Sequence, residues 1–168
     1  MIVRPLRFMP LAVAATLGCT SMLPPGQARL ENASRIPPAL CDDATPAERA
    51  TRVLGTRGLF GVELSRETFL SSKSYTRSRP AGVELRYAAP PAVTTAWFQR
   101  ELECHQADVV LGRVAARDDD PYAAPDVWLA VDVTTAGSAM VVEVRAEDRE
   151  AAAAILERAR RLQRSQVR

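Results

Sequence analysis

From residue 45 onward the hydrophobic and polar positions follow two periods, and each change of period marks an element. Ala50, Val53 and Leu54 make the apolar face of a short helix whose start is written at Thr45, Pro46, Ala47 and Glu48. There a threonine cap, a proline in the first turn and a glutamate placed to close a capping box coincide, and Gly55 or Gly58 ends the helix. The period then drops to two. Val62 and Leu64 alternate with Glu63 and Ser65 over residues 61–68, and Val83, Leu85 and Tyr87 alternate with Glu84 and Arg86 over residues 82–87. These are two strands expected to pair as a hairpin. The polar stretch 71–81 between them carries Lys73, Arg77 and Arg79, with Tyr75 as its aromatic residue; it reads as a solvated loop in preference to a lipid or polymer contact.

Helical spacing returns after Pro90 and Pro91. With Thr94 or Thr95 as cap, Phe98, Leu102, His105 and Val109 share one face of a helix reaching about Val110. Residues 112–126 are irregular, broken by Gly112, Pro121 and Pro125, and contain Asp118, Asp119 and Asp120. Three adjacent aspartates lack the alternate-residue spacing and closing glutamate of a calcium loop, so an exposed loop is the expectation. The clearest alternation follows. Val127, Leu129, Val131 and Val133 lie on one face of a strand over 127–134, and Met140, Val142 and Val144 on one face of a strand over 138–146, joined through Ala136 and Gly137. Asp148 caps a last helix with Ala152, Ile155, Leu156, Ala159 and Leu162 as its buried stripe. Arg158, Arg160, Arg161 and Arg164 favour its C-terminal end through the helix dipole and form a candidate surface contact.

The elements run αββαββα, which predicts an α+β fold: one four-stranded antiparallel sheet with helices on one face. This order resembles a circularly permuted ferredoxin-like fold, and its first six elements resemble the order of the lipid-associated BON domain. Both are likenesses of topology, which does not determine function. The 168 residues, 47% hydrophobic, give room for one domain. Eight Gly, twelve Pro and few aromatics exclude a collagen-like chain, a solenoid or an aromatic nucleic-acid module.

The N-terminus changes the picture more than the composition does. Arg4 and Arg7 precede an apolar run over residues 8–17, the layout of a secretory signal peptide. Ten helical residues rise about 15 Å, half of a hydrocarbon core of about 30 Å, so the run does not read as a membrane span. It ends in Thr16, Leu17, Gly18 and Cys19, which resembles the lipobox of bacterial lipoproteins; Gly18 and Cys19 fit that pattern, while Thr16 and Leu17 stand in a less usual order. The resemblance implies acylation of Cys19 after removal of residues 1–18, and Thr20, in place of an aspartate, implies sorting to the outer membrane. Gly26, Gln27 and Ala28 offer a competing cleavage that would release a soluble periplasmic protein beginning at Arg29. Residues 19–40 then read as a lipidated N-terminus and flexible tether, 41–165 as the domain and 166–168 as a tail. Removing Arg4 and Arg7 from 22 basic residues leaves 20 against 20 acidic ones. A neutral mature chain argues against nucleic acid as a partner.

Export places Cys41 and Cys104 in a compartment that favours oxidation, and we expect them to pair; two free thiols are the alternative. Cys104, His105 and Cys41 also raise a metal or redox-sensor reading. Neighbouring helical residues point about 100° apart, so His105 faces the core while Cys104 faces the Trp97 and Glu101 flank, and one metal is poorly placed to use both. Other catalytic patterns fail: there is no GxSxG, HExxH, CxxC or phosphate-cradling glycine loop. Glu101 and Glu103 do not share a helical face, and nothing marks Glu63, Glu84 or Glu143 as buried, so a two-carboxylate hydrolase has no support. The stretch WFQRELECHQADVVLGR, from Trp97 to Arg113, resembles segments of small lipoproteins of high-GC, myxobacteria-like bacteria that have no assigned activity. The combined expectation is a non-enzymatic envelope protein without a cofactor. Its membrane contact is the N-terminal lipid, and its further partner is an envelope protein or polymer.

Overall fold

The structure is a computed structural model that describes residues 25–36, 38–70, 76–89, 93–124 and 126–167. The expected leader, Cys19, Thr20, Lys73, Tyr75 and the Pro90–Pro91 pair lie outside the described residues. In chain order the elements are α1 (Pro25–Ser34), a 3-10 turn (Pro38–Leu40), α2 (Pro46–Leu54), β1 (Leu59–Leu70), β2 (Thr76–Ala88), α3 (Thr95–Val110), β3 (Ala130–Ala136), β4 (Ala139–Arg145) and α4 (Arg149–Gln166). The four strands form one antiparallel sheet in the order β1-β2-β4-β3. The α+β class and the αββαββα order from α2 onward are as the sequence predicts.

The caps explain why the helices start where they do. Thr45 accepts from the Glu48 backbone N–H while the Glu48 carboxylate accepts from Thr45, a complete capping box with Pro46 behind it. Thr94 and Asp148 accept from Trp97 and Ala151 in the same way. Period-two alternation then turns Val83, Leu85 and Tyr87 of β2 and Met140, Val142 and Val144 of β4 toward one core. They meet Phe98 and Leu102 of α3 and Ile155, Ala159 and Leu162 of α4 there. Gly82 lets β2 and β4 close on each other: a Cβ at this position would lie 1.9 Å from the Val144 carbonyl oxygen. Gly137, with φ of 63°, makes the left-handed turn between β3 and β4.

The register also builds something that no single strand shows. On the face opposite the core, Glu63 pairs with Glu84, Glu84 with Glu143, and Glu143 with Asp132, so four carboxylates cross the sheet in one row. Like charges placed directly opposite destabilise a sheet. Arg86, 2.7 Å from Glu84 and 4.0 Å from Glu63, offsets this, as do Arg145 near Glu143 and the Ser65 hydroxyl donating to Glu143 at 2.7 Å.

Four expectations are corrected. Part of the expected tether is helical: α1 buries Ala33 against Ala107 and Val110 of α3, with Ile36, Leu111 and Trp128 around it. A helix that docks through one alanine leaves no apolar stripe in the sequence. The loop expected over 71–81 is shorter, because β2 begins at Thr76 and β1 runs on to Leu70. The strand expected from Val127 begins at Ala130; Val127 makes an isolated bridge to Ala124 instead. The expected tail begins inside α4, where the Gln166 side-chain amide donates to the Thr56 carbonyl at 2.7 Å.

Candidate functional site

Cys41 and Cys104, 63 positions apart in the sequence, form a disulfide with Cα atoms 5.8 Å apart. The bond ties the chain just ahead of α2 to the middle of α3. One residue on, Asp42 is thereby held over α2, where two arginines one turn apart meet it. Arg52 makes a bidentate pair with Asp42 at 2.7 and 2.9 Å, and Arg49 donates to the Asp42 and Ala44 carbonyls at 3.2 and 3.1 Å. Arg49 also reaches across to Asp108, one turn beyond Cys104, and both side chains are 4% exposed. Arg52 lies 2.9 Å from Glu101 and 5.9 Å above the Trp97 ring. Arg113 adds a bond of 3.3 Å to Asp108. A cavity of about 180 Å³ beside the disulfide is lined by Ile36, Cys41, Arg49, Cys104, Asp108 and Arg113, among others.

The electrostatics of this layer are those of a clamp. Hydrogen bonding to Arg52 is the largest influence on Asp42 and brings its carboxyl down to about 2. Burial pushes Glu101 up, opposed by the charge of Arg52. The sulfurs are bonded to each other, and Asp42, Asp108 and Glu101 each lie within ion-pair distance of an arginine. The lowered Asp42 value has a consequence for stability. A depressed carboxyl contributes stability above its unfolded value of 3.8, and that contribution is lost as pH falls through about 2. Acid unfolding followed by circular dichroism should therefore steepen between about pH 4 and pH 2. Asp42→Asn should remove that part of the fall; an identical acid limb in the variant would refute the role given to Asp42.

His105 faces the core as expected, and its partner is a residue expected to be exposed. Its Nε2 lies 2.7 Å from Asp120, whose other oxygen accepts the Tyr122 backbone N–H at 2.9 Å. Asp120 is fully buried, whereas Asp118 is exposed and Asp119 pairs with Arg117 at 2.9 Å. The three aspartates thus have three different environments. The Tyr122 hydroxyl bonds that of Tyr87, and burial raises both phenols. Tyr87 in turn meets Phe98 edge-on at 6.2 Å. A lone histidine on an apolar stripe requires a polar partner, and that was the available sign that one aspartate of the irregular stretch turns inward. Gln106 is a second buried polar group outside the expectations: its amide exchanges hydrogen bonds with both backbone groups of Leu129, standing in for a neighbouring strand just before β3.

The disulfide therefore joins Cys41 and Cys104 while His105 is engaged elsewhere, by Asp120. Among the described residues no group of three or more His, Cys, Asp or Glu side chains is placed to hold a metal. The α4 arginines divide. Arg158 donates to the Ala123 carbonyl at 2.9 Å and fastens the irregular stretch to α4; Arg161 and Arg164 share Glu157 at 3.4 Å each; Arg160 is exposed. Cys19, the expected lipidation site, is outside the described residues, and none of the helices described is long and apolar enough to cross a membrane. Comparison with protein-family models, curated proteins and solved structures finds no match to this chain.

Proposed function

We propose that this protein is a non-enzymatic, lipid-anchored domain of the cell envelope that acts as a binding module. Cys19 carries the lipid and holds the domain at a membrane surface, by preference the periplasmic face of an outer membrane. The observation that carries the reading is the Cys41–Cys104 disulfide in a domain that follows a leader-like segment. Such bonds persist where thiols are oxidised, which is where an exported chain arrives. The balance of acidic and basic residues in the mature chain leaves membrane and protein partners in preference to nucleic acid.

Release after Ala28 is the weaker reading, because it would remove the first turn of α1 and leave Arg29, the residue 3.0 Å from Asp126, as the new terminus. Acylation at Cys19 keeps α1 whole. Cys19→Ser should move the protein from the detergent phase to the aqueous phase on detergent partitioning, since several acyl chains together give stable membrane attachment. Unchanged partitioning would remove the anchor, and a mature N-terminus at Arg29 would establish soluble release in its place.

A further inference from the structure

β1 and β2 outrun the rest of the sheet. β4 ends at Arg145, which pairs with Gly82, whereas β1 and β2 stay paired from Arg66–Pro80 out to Leu70–Thr76. These five pairs form a ribbon roughly 16 Å long at about 3.3 Å per residue. Its residues are exposed apart from the half-buried Pro80. A two-stranded ribbon bare on both sides is marginal in water, yet this one carries large apolar groups at its far end: Leu70 is 80% exposed and Phe69 42%.

Charge is arranged around that end. Arg77 stands directly across from Phe69, and Arg79 lies 5.8 Å from the Phe69 ring while bonding Glu67. Among the described residues neither Arg66 nor Arg77 has an ion-pair partner. Just inside the ribbon the sign reverses, at the row Glu63, Glu84, Glu143 and Asp132. The sheet face therefore repels an anionic surface while the ribbon attracts one; Phe69 is level with Arg77, Arg66 lies three pairs further in, and Leu70 one pair further out. An interfacial anchor combines these groups: apolar side chains at the acyl boundary, and guanidinium groups whose long stems reach back to the phosphates.

We propose that the ribbon of residues 66–70 and 76–80 is a membrane-contact arm that inserts Phe69 and Leu70 into an anionic phospholipid surface, with Arg66 and Arg77 on the headgroup phosphates. This names the membrane itself as a partner of the module proposed above, and it does not require acylation of Cys19.

The test uses the mature chain from residue 19 carrying Cys19→Ser, so that neither the apolar segment before it nor an attached acyl chain contributes. A polarity-sensitive fluorophore is placed at Leu70→Cys, or as a control at Ala153→Cys on the exposed side of α4. Vesicles containing phosphatidylglycerol should shift the emission at position 70 to the blue and leave position 153 unchanged; pure phosphatidylcholine should shift neither. Arg66→Gln with Arg77→Gln should weaken binding to the anionic vesicles about fivefold per arginine. Phe69→Ser with Leu70→Ser should weaken it by at least about tenfold. No shift at position 70 on vesicle-bound protein overturns the proposal, as does equal binding by the arginine variant. Sedimentation showing a dimer that Phe69→Ser with Leu70→Ser abolishes would overturn it too, by assigning the ribbon to a second copy of the chain. Because Cys19 is already replaced, none of these failures bears on the lipid anchor.

Discussion

Asp108→Ala should destabilise the domain by about 3–5 kcal/mol, the cost of leaving one member of a buried ion pair without its partner. The Asp108 carboxylate receives Arg49 from α2 and Arg113 from beyond the end of α3, and Arg49 is as buried as Asp108 itself. Without Asp108 the Arg49 guanidinium keeps its bonds to Asp42 and Ala44 but has lost the counter-charge on α3. The α2–α3 contact is then held by the apolar edge of Val53 and Leu54, by Arg52 on Glu101 and Trp97, and by the disulfide just ahead of α2. A matched control is available in Asp119→Ala: the Arg117–Asp119 pair is geometrically sound but its arginine is exposed, and such pairs contribute less than about 1 kcal/mol. Urea unfolding of the two variants measures both. Equal midpoints would show that burial does not decide the value of these pairs. Replacing Arg49 and Asp108 together by apolar residues should cost less than the sum of the single changes, because no unpaired charge remains.

Replacing Cys41 and Cys104 together by serine should cost about 4 kcal/mol on the loop-entropy argument for a closed loop spanning 63 positions. In a domain of this size that is a fall in melting temperature of roughly 12–20 °C. The bond also has a local effect, since it sets the position of Asp42, the residue that gathers Arg49 and Arg52. Adding Asp42→Asn to the cysteine variant should therefore destabilise less than it does alone, the sign of two sites acting through one contact. Intact mass should gain two hydrogens on reduction of the native chain. A melting temperature unmoved by reduction would sink the structural role of the bond.

How far the sequence announces this molecule depends on the range of each interaction. The starts of α2, α3 and α4 are legible because Thr45, Thr94 and Asp148 each act on a backbone N–H three residues ahead. The strands are legible because alternation needs only neighbours, and Val83, Leu85 and Tyr87 turn inward together as that period requires. Arg158, Arg160, Arg161 and Arg164 are legible as a basic helix end, but not their separate fates. That Arg158 is taken by the Ala123 carbonyl depends on where a chain segment 35 positions away comes to rest.

The candidate site was legible only in its outline. Sequence reading, with the export expected from its leader-like N-terminal segment, was enough for the α+β class, the order of elements and the pairing expected of Cys41 with Cys104. The tertiary structure alone decided that Asp120 turns inward to His105, that Arg49 finds Asp108 across 59 positions, that four carboxylates fall in one row, and that β1 and β2 run on as a bare ribbon. The reason is physical. Caps and alternation are properties of a few consecutive residues, whereas burial of a charge, cross-strand register and the length by which one strand outruns another exist only once distant segments have packed.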